Sequence, residues 1–234
     1  MSCLTQVSLA DCDPTSTVLA PLRLMSVRSI TDAALDAQLD ERLDALIADG
    51  WAIWERFDRP VLATEFHPFV AADYDVVRAA LLRLRAPGRR FLEWGSATGI
   101  ITIMADLMGL EAYGIELDAS LVAIARDVAA RHGSAARFVA GSFLPAEYRW
   151  RGRDGDSRRG TIGDGISGYG ELGHALDDFD IVFGYPWDGE TEIMRDVMRQ
   201  FGRPDALLLL YDTNRGVRMY RGGHEVTSEM RAEP

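Results

Sequence analysis

The chain has 234 residues, of which 47% are hydrophobic and 26% charged, a composition typical of a globular protein with one domain and an extension. Its net charge of −11 disfavours a large nucleic-acid interface, because such an interface needs a basic face. Its two cysteines, Cys3 and Cys12, exclude a disulfide framework and a zinc ligand set, so we expect no metal. No apolar run is long enough to cross a membrane and no secretory signal is recognisable, so we expect a cytoplasmic protein.

The first third of the chain predicts helices that precede a sheet. Residues 29–32 have the spacing of a helix capping box, and leucines then repeat at helical spacing until Gly50, where we expect the helix to end. Residues 51–57 alternate loosely and predict a short strand. A loop over residues 59–68 and an amphipathic helix over residues 73–85 are expected to follow.

From Arg90 onward, strands and helices alternate. The predicted strands are residues 90–94, 112–116, 137–140, 179–184, 206–211 and 217–220, and the predicted helices are residues 100–109, 118–132 and 189–201. Strands separated by helices imply a doubly wound, mostly parallel α/β sheet of the Rossmann-like kind. Only 23 residues follow Tyr211, so we expect a shortened C-terminal edge or a missing last strand. We assign residues 1–87 to a helical extension and cofactor-lid region and residues 88–234 to the α/β domain.

A glycine-containing turn follows the first predicted strand. Residues 93–99 read EWGSATG, and the apolar run from Ile100 has the character of a helix. Seventeen residues after Gly99, the second predicted strand ends on Glu116. Because parallel strands end at the same edge of a sheet, Glu93, the turn and Glu116 are expected to form a nucleoside site in which Glu116 accepts hydrogen bonds from ribose hydroxyls.

The same turn argues against a dinucleotide. It lacks the Gly-x-Gly-x-x-Gly spacing that places a pyrophosphate at a helix N-terminus. Glu93, two residues before Gly95, would repel a pyrophosphate but attract an ammonium or sulfonium group. The site therefore suits a nucleoside with a cationic tail, which is S-adenosylmethionine, and an NAD-dependent oxidoreductase is the disfavoured alternative.

These residues resemble the class I S-adenosylmethionine-dependent methyltransferases, whose first motif is acid-x-Gly-x-Gly-x-Gly. Glu93, Gly95 and Gly99 match this motif, and Ala97 replaces its middle glycine. The later elements of the resemblance are the second acid Glu116 within residues 113–118, the third strand and its turn in residues 137–143, and the fourth strand with the methyl-facing motif in residues 178–187. The resemblance covers residues 65–221.

The resemblance implies the class I methyltransferase fold, S-adenosyl-L-methionine as cofactor, and a set of binding residues. These are Glu93, Gly95, Ser96, Ala97, Thr98, Gly99, Glu116, Leu117, Ser142, Phe143 and Tyr185. Glu93 is expected to face the methionine part of the cofactor or, alternatively, to cap backbone amides of the turn. Ser142 occupies the position of the family's adenine-binding acid, so that contact is expected to pass to backbone amides and to stacking on Phe143, unless Phe143 belongs to the core.

The methyl group is expected to lie where the fourth strand ends, at Tyr185. Family members that methylate planar nitrogen carry Asn or Asp, two prolines and an aromatic residue there, whereas residues 184–187 read GYPW. Tyr185 and Trp187 are therefore expected either to form an aromatic wall for a cationic or planar substrate or to pack at the end of the sheet.

Proton acceptors are less distinct in the sequence than binding residues. Asp188, Glu190 and Glu192 could accept a proton, or they could form the acidic first turn of a helix, where the helix dipole favours them. His67 and His174 are further candidates that could equally be solvated loop residues. The candidate catalytic residues are Tyr185, Asp188 and His67.

Two segments predict a lid over the site. Residues 152–173 contain eight glycines and leave the third strand at the ligand-binding edge. Together with residues 66–69 they are expected to close over cofactor and substrate, or else to form solvated surface loops.

The sequence leaves two functions open. The first is methyl transfer to a small molecule or to a protein amine or hydroxyl, with no membrane partner and with nucleic acid disfavoured. The second is a regulatory module that binds S-adenosylmethionine without turnover, which Ser142, the incomplete methyl-facing motif and the short C-terminal edge allow.

Overall fold

The computed structural model describes residues 27–61, 70–149, 165–187 and 189–226. Residues from Ala37 onward belong to one compact unit. A separate unit, Met1–Asp36, is described only over residues 27–36, which begin the first helix.

A seven-stranded sheet forms the centre of the larger unit. The strands are β1 (Arg90–Trp94), β2 (Glu111–Glu116), β3 (Arg137–Ala140), β4 (Ile181–Gly184), β5 (Leu207–Asp212), β6 (Gly216–Arg221) and β7 (His224–Val226). The helices are α1 (Val27–Val61), α2 (Tyr74–Leu84), α3 (Ile100–Leu107), α4 (Ala119–Arg131), α5 (Tyr169–Leu172) and α6 (Glu190–Phe201). The strand order is β3-β2-β1-β4-β5-β6-β7. β1 to β5 are parallel, β6 is antiparallel to β5 and β7 is antiparallel to β6. The predicted doubly wound, mostly parallel sheet is therefore confirmed.

The strand order fixes where a ligand can bind. From β1 the chain moves outward to β2 and β3, and it then returns to place β4 on the other side of β1. The carboxyl ends of β1 and β4 therefore face a crevice between connections that leave in opposite directions, which is where open α/β sheets bind ligands.

An apolar core covers each face of the sheet. Phe91 and Leu92 are neighbours on β1, and their side chains belong to different cores because alternate residues of a strand point to opposite faces. The core containing Phe91 includes residues of α1 to α4, whereas the core containing Leu92 includes residues of α5 and α6.

Helix α1 corrects the prediction for residues 50–57. The helix continues through Gly50 to Val61, and the strand predicted over residues 51–57 is wrong. A Cβ at Gly50 would lie 3.0 Å from Cγ1 of Ile100 and 3.1 Å from Cε2 of Tyr74, so the glycine permits close approach of α1 to α3 and α2. Glycine lowers helix stability by only about 1 kcal/mol relative to alanine, which this packing can offset.

The C-terminal edge of the sheet is shortened, as expected, but no strand is missing. β6 forms an antiparallel pair with β5, and β7 adds a final strand of three residues. Of the two alternatives that the sequence left open, the shortened edge is therefore confirmed.

None of the helices in the described ranges combines the length and the hydropathy that a bilayer span requires. In the same ranges, His, Cys, Asp and Glu side chains form no group of three that could hold a metal ion.

Candidate functional site

A pocket lies at the carboxyl ends of β1 and β4. Its lining comes from the segment that leads into α2, from the turn between β1 and α3, and from the end of β4. The lining residues are Val70, Ala71, Ala72, Tyr74, Glu93, Gly95, Ser96, Ala97, Thr98, Ile100, Ile101, Phe183 and Tyr185. The structure thus brings together six of the predicted site residues: Glu93, Gly95, Ser96, Ala97, Thr98 and Tyr185.

The turn after β1 uses backbone conformations that favour glycine. Gly95 has a φ of 69° and Gly99 a φ of 80°, both in the left-handed region. The amides of Gly95 and Ser96 donate to the carbonyl of Ile115 at 2.9 and 3.0 Å, which fixes the turn against β2. The backbone of the turn is therefore held in place before any ligand binds.

Two glycines allow neighbouring residues to pack closely against the turn. A Cβ at Gly99 would lie 2.7 Å from Cζ of Phe138, and a Cβ at Gly114 would lie 2.7 Å from both Cβ and Oγ of Ser96. Gly114, on β2, is thus required for the position of Ser96. The sequence analysis did not identify it, since its role depends on a contact between neighbouring strands.

Glu93 is buried beneath the pocket, with 5% of its surface exposed. Its Oε2 accepts hydrogen bonds from the backbone amide and the hydroxyl of Thr102, in the first turn of α3. Burial raises the pKa of Glu93 to about 8, the two bonds from Thr102 act in the opposite direction, and the charge of Glu116 adds to the increase. The sequence left open whether Glu93 faces the cofactor or caps backbone amides of the turn. The amide that donates to Glu93 belongs to α3 and not to the turn, and the side chain of Glu93 lines the pocket.

Glu116 connects the end of β2 to the turn. Its Oε2 accepts from the amide of Ala97 at 2.8 Å, and its Oε1 accepts from the amide of Asp118 at 3.0 Å. Burial raises the pKa of Glu116, and the backbone hydrogen bonds oppose that shift. Because each carboxylate oxygen can accept two hydrogen bonds, capacity remains for ribose hydroxyls.

Leu117 and Ser142 are not among the residues that line the pocket. Both contact the segment 165–168: a Cβ at Gly165 would lie 2.9 Å from Cδ2 of Leu117, and the amide of Ser142 donates to the carbonyl of Ile166 at 2.8 Å. The hydroxyl of Ser142 accepts from the amide of Leu144 at 3.2 Å. The main chain of Ser142 is thus paired with this segment, and its hydroxyl has a local partner.

Phe143 belongs to the core. Its ring is 2% exposed and stacks on Trp94 with centroids 4.8 Å apart and an interplanar angle of 15°. This placement favours the packing interpretation over stacking on an adenine.

The C-terminal part of the predicted lid is anchored to the core. The hydroxyl of Tyr169 accepts from the indole N–H of Trp94 at 2.9 Å, and Leu172 is buried. The eight glycines of residues 152–173 predict a segment with few anchors, and for residues 165–173 this prediction is wrong. Residues 152–164 and 66–69 lie outside the described residues, so the lid prediction stays a prediction there.

Tyr185 is the candidate catalytic residue that the structure places at the pocket. Its ring meets the ring of Tyr211 edge-on, with centroids 4.9 Å apart and an interplanar angle of 82°. Burial raises the pKa of the Tyr185 hydroxyl, as do Tyr211 and the negative charge of Asp212. The hydroxyl is therefore a neutral donor and acceptor at physiological pH.

The acids after Tyr185 serve helix α6. Glu190 accepts from the amide of Trp187 at 2.8 Å, and Glu192 forms an ion pair with Arg195 at 2.6 Å. These contacts favour the helix interpretation for both acids. Asp188 and His67 lie outside the described residues, so their catalytic role stays a prediction.

His174 lies near the amino end of β2, whereas the pocket lies at the carboxyl ends of the strands. Its Nε2 is 3.0 Å from the hydroxyl of Tyr113, which also contacts Glu111, the first residue of β2. Because Glu111 is at the amino end of a parallel strand and the pocket is at the carboxyl ends, His174 is not placed to act as a base there.

Several lining residues were missed by the sequence analysis. Tyr74, which lines the pocket, could have been found as the residue after the helix cap Asp73. Thr102 lies outside the lining but bonds to Glu93, and it could have been found as a hydroxyl within the apolar first turns of α3. Among the described residues, the buried hydroxyls of Ser96 and Thr98 have no hydrogen-bond partner. Buried polar groups are ordinarily paired, so these two hydroxyls fit a site that is completed by a polar ligand.

Comparison with known proteins finds a methyltransferase over part of the chain. No family model matches the chain. A stretch of 99 residues, 41% of this chain, is 30% identical to a ribosomal protein L11 methyltransferase of Thermus thermophilus. The match covers 39% of that protein, so the chain spans about two fifths of its length. This relative agrees with the resemblance that the residues carry.

Two similar solved structures are also methyltransferases. An RNA methyltransferase from Salinibacter ruber in complex with S-adenosyl-L-homocysteine has 19% identity and a TM-score of 0.47, covering 70% of this chain and 98% of that chain. A precorrin-6y C5,15-methyltransferase from Geobacter metallireducens has 17% identity and a TM-score of 0.39, covering 57% of this chain and 59% of that chain.

Proposed function

We propose that the chain is an S-adenosylmethionine-dependent methyltransferase whose cofactor binds in the pocket at the ends of β1 and β4. The observation that carries this proposal is the arrangement of Glu93 and Glu116 on either side of a fixed glycine turn at the switch point of the sheet. A dinucleotide would bring a pyrophosphate beside these two acids, whereas a sulfonium nucleoside brings a cation.

Each side chain then has a distinct role toward the cofactor. Glu116 accepts from the ribose, Glu93 faces the ammonium of the methionine part, and the hydroxyls of Ser96 and Thr98 supply further polar contacts. When bound, the cofactor supplies an activated methyl group. Tyr185 forms the wall at the end of β4, where it orients the acceptor.

The helical extension contributes to the same site. Residues Val70, Ala71, Ala72 and Tyr74 line the pocket and precede the proposed boundary at residue 87. Their mostly apolar side chains exclude water from the reacting groups, which strengthens electrostatic contacts inside the pocket.

The acceptor we propose is a small molecule or a protein amine or hydroxyl. No arginine or histidine occurs among the described lining residues, so a phosphodiester would find no counter-charge there. The partial relative is named for its action on a ribosomal protein, which supports keeping a protein acceptor.

Ligand-dependent melting tests the cofactor assignment. S-adenosylhomocysteine should raise the melting temperature, because a ligand that binds only the folded chain stabilises it. NAD at the same concentration should leave it unchanged, and the opposite pattern would overturn the proposal. Transfer of label from S-adenosylmethionine to an acceptor in a cell extract then separates an enzyme from a module without turnover.

The two ends of β2 offer a matched pair of variants. Glu116→Ala should lower the affinity for S-adenosylhomocysteine by about 2–4 kcal/mol, because charge-assisted bonds to the ribose are lost. Glu111→Ala removes an acid from the opposite end of the same strand and should leave the affinity unchanged. Equal affinities of the two variants in calorimetry would show that the ribose is not bound at Glu116.

A further inference from the structure

Thr102 makes an uncommon pair of contacts with Glu93. It is fully buried in the first turn of α3, and both its amide and its hydroxyl donate to the same carboxylate oxygen, Oε2. The other buried residues of this helix are apolar: Ile100, Ile101, Ile103, Met104 and Ala105. A hydroxyl at this position thus serves the carboxylate rather than the packing of the helix.

The two bonds divide the carboxylate into a fixed oxygen and a free one. Oε2 is held against the start of α3, and both hydrogen bonds that Glu93 accepts from Thr102 go to this oxygen rather than to Oε1. Since Glu93 lines the pocket, Oε1 is the atom that can carry a proton in the empty pocket or accept a bond from a ligand.

The charged and titratable groups that face Glu93 come from two other elements. Tyr74 on α2 has its pKa raised by burial and by the charge of Glu93, and Glu116 on β2 adds its own negative charge. No cation faces Glu93 among the described residues that line the pocket. In the empty pocket at neutral pH, Glu93 is therefore mostly protonated, because burial raises its pKa to about 8.

We propose that Thr102 is a positioning residue that holds Glu93 to receive the cofactor's ammonium group, and that binding of this cation expels the proton from Glu93. This inference rests on the proposed function. The ammonium replaces the proton as the partner of Oε1, and the proton leaves to solvent. Cofactor affinity therefore depends on pH although the cofactor's adenine and ribose do not titrate in this range.

The sign of the dependence follows from the linked proton. Below the pKa of Glu93, each unit by which the pH is lowered reduces the ionised fraction of Glu93 in the empty pocket about tenfold. The affinity for S-adenosylhomocysteine should therefore fall by up to about tenfold per unit as the pH is lowered from 7.5 to 5.5.

Two ligands isolate the contribution of the ammonium group. Calorimetry would measure S-adenosylhomocysteine and 5′-methylthioadenosine at pH 5.5, 6.5 and 7.5. 5′-Methylthioadenosine has the same adenosine but no amino-acid tail, so titration of Glu116 would affect both ligands and titration of Glu93 only the first. The first ligand should lose affinity toward pH 5.5, and the second should bind equally at all three values.

Substitutions at Thr102 test its part in the mechanism. Thr102→Val keeps the shape but removes the hydroxyl bond to the ionised carboxylate, so the pH dependence of S-adenosylhomocysteine binding should move to higher pH. Thr102→Ser keeps the hydroxyl and should restore the parental profile. Thr191→Val makes the same change on α6, outside the pocket lining, and should leave the profile unchanged.

The outcomes separate the two proposals. If neither ligand binds, the proposed function fails. If both bind and the affinity for S-adenosylhomocysteine is constant from pH 5.5 to 7.5, the proton exchange at Glu93 is overturned while the function stands. If folded Thr102→Val keeps the pH profile of the parent, the positioning role of Thr102 is overturned. The comparison of the two ligands uses the unaltered protein, so it does not depend on any variant folding.

Discussion

Ala97 holds a backbone conformation that glycine adopts without strain. Its φ of 44° lies in the left-handed region, and it is the only residue other than glycine with a positive φ in the described chain. The amide of Ala97 donates to Glu116, so the turn keeps this conformation in spite of the strain. Alanine at the position of the middle glycine in the class I methyltransferase motif is thus tolerated at a cost in stability.

Ala97→Gly should therefore stabilise the protein. Relief of the strain is worth about 1–2 kcal/mol, and the greater freedom of glycine in the unfolded chain subtracts about 0.5–1 kcal/mol, so we expect a net gain of up to about 1.5 kcal/mol. Urea unfolding measures this difference. Ala123→Gly, at an exposed position inside α4, should instead lower stability by about 1 kcal/mol. A loss at both positions would show that Ala97 is not strained.

At the scale of elements, local sequence patterns predicted those parts of the site that are formed by consecutive residues. The strand, the turn and the helix over residues 90–107 were recognisable because glycines and an apolar run follow each other directly. Glu116 was recognisable because it ends the next strand. The parallel sheet followed from the alternation of elements, which needs no knowledge of distant contacts.

The errors and omissions concern contacts between residues far apart in the chain. Gly50 was predicted to end a helix, but it lies inside α1 and permits close packing against Ile100. No local pattern encodes this contact. Phe143 could be assigned to the core only once its stacking partner Trp94 was known. Thr102 has its role through a bond to Glu93 across the turn, on a helix that otherwise reads as apolar.

The contact between β2 and the turn can be tested at Gly114. Gly114→Ala places a Cβ within 2.7 Å of Ser96, so the turn must shift and stability should fall by about 1–3 kcal/mol. The affinity for S-adenosylhomocysteine should fall with it, because the turn lines the pocket. Urea unfolding and calorimetry measure the two effects.

Gly170→Ala is the matched control for this substitution. Gly170 lies in α5 with open space around its missing Cβ, so both stability and affinity should be maintained. If Gly114→Ala is as stable as the parent, the position of Ser96 does not require a glycine at residue 114.

At the scale of the whole molecule, the buried acid gives stability an unusual dependence on pH. The pKa of Glu93 is about 8 in the folded chain against an ordinary value of 4.5. Between these values the folded chain holds a proton that the unfolded chain has lost, so the free energy of unfolding falls as the pH rises. The carboxyls of Asp180 and Asp118 have lowered pKa values and act oppositely: their contribution is lost as the pH falls below about 4.

Glu93→Gln should remove most of the loss of stability between pH 5 and pH 8, and Glu116, whose pKa is also raised by burial, should retain a smaller share. The variant keeps the size of the side chain without its proton, and the difference from the parent at pH 8 should reach up to about 4 kcal/mol. Urea unfolding at both pH values gives the slope. Glu111→Gln is the control: the pKa of Glu111 is lowered by Tyr113 and Arg90, so this acid is ionised throughout the window and the slope should persist. An equal slope in parent and Glu93→Gln would exclude Glu93 as its source.

The two ends of the sheet also bear on how the protein behaves among its own copies. An edge strand exposes unpaired backbone groups that can recruit another chain, and long flat edges lead to aggregation. Here β3 has four residues and β7 has three, and a bridge from Ser142 to Ser167 continues the β3 side into the segment 165–168. On the other side, Arg218 binds both carboxylate oxygens of Glu225, which places charge on the outermost pair of strands. Within the described chain, the shortened C-terminal edge therefore leaves little backbone for intermolecular pairing and disfavours fibrillar assembly through the sheet.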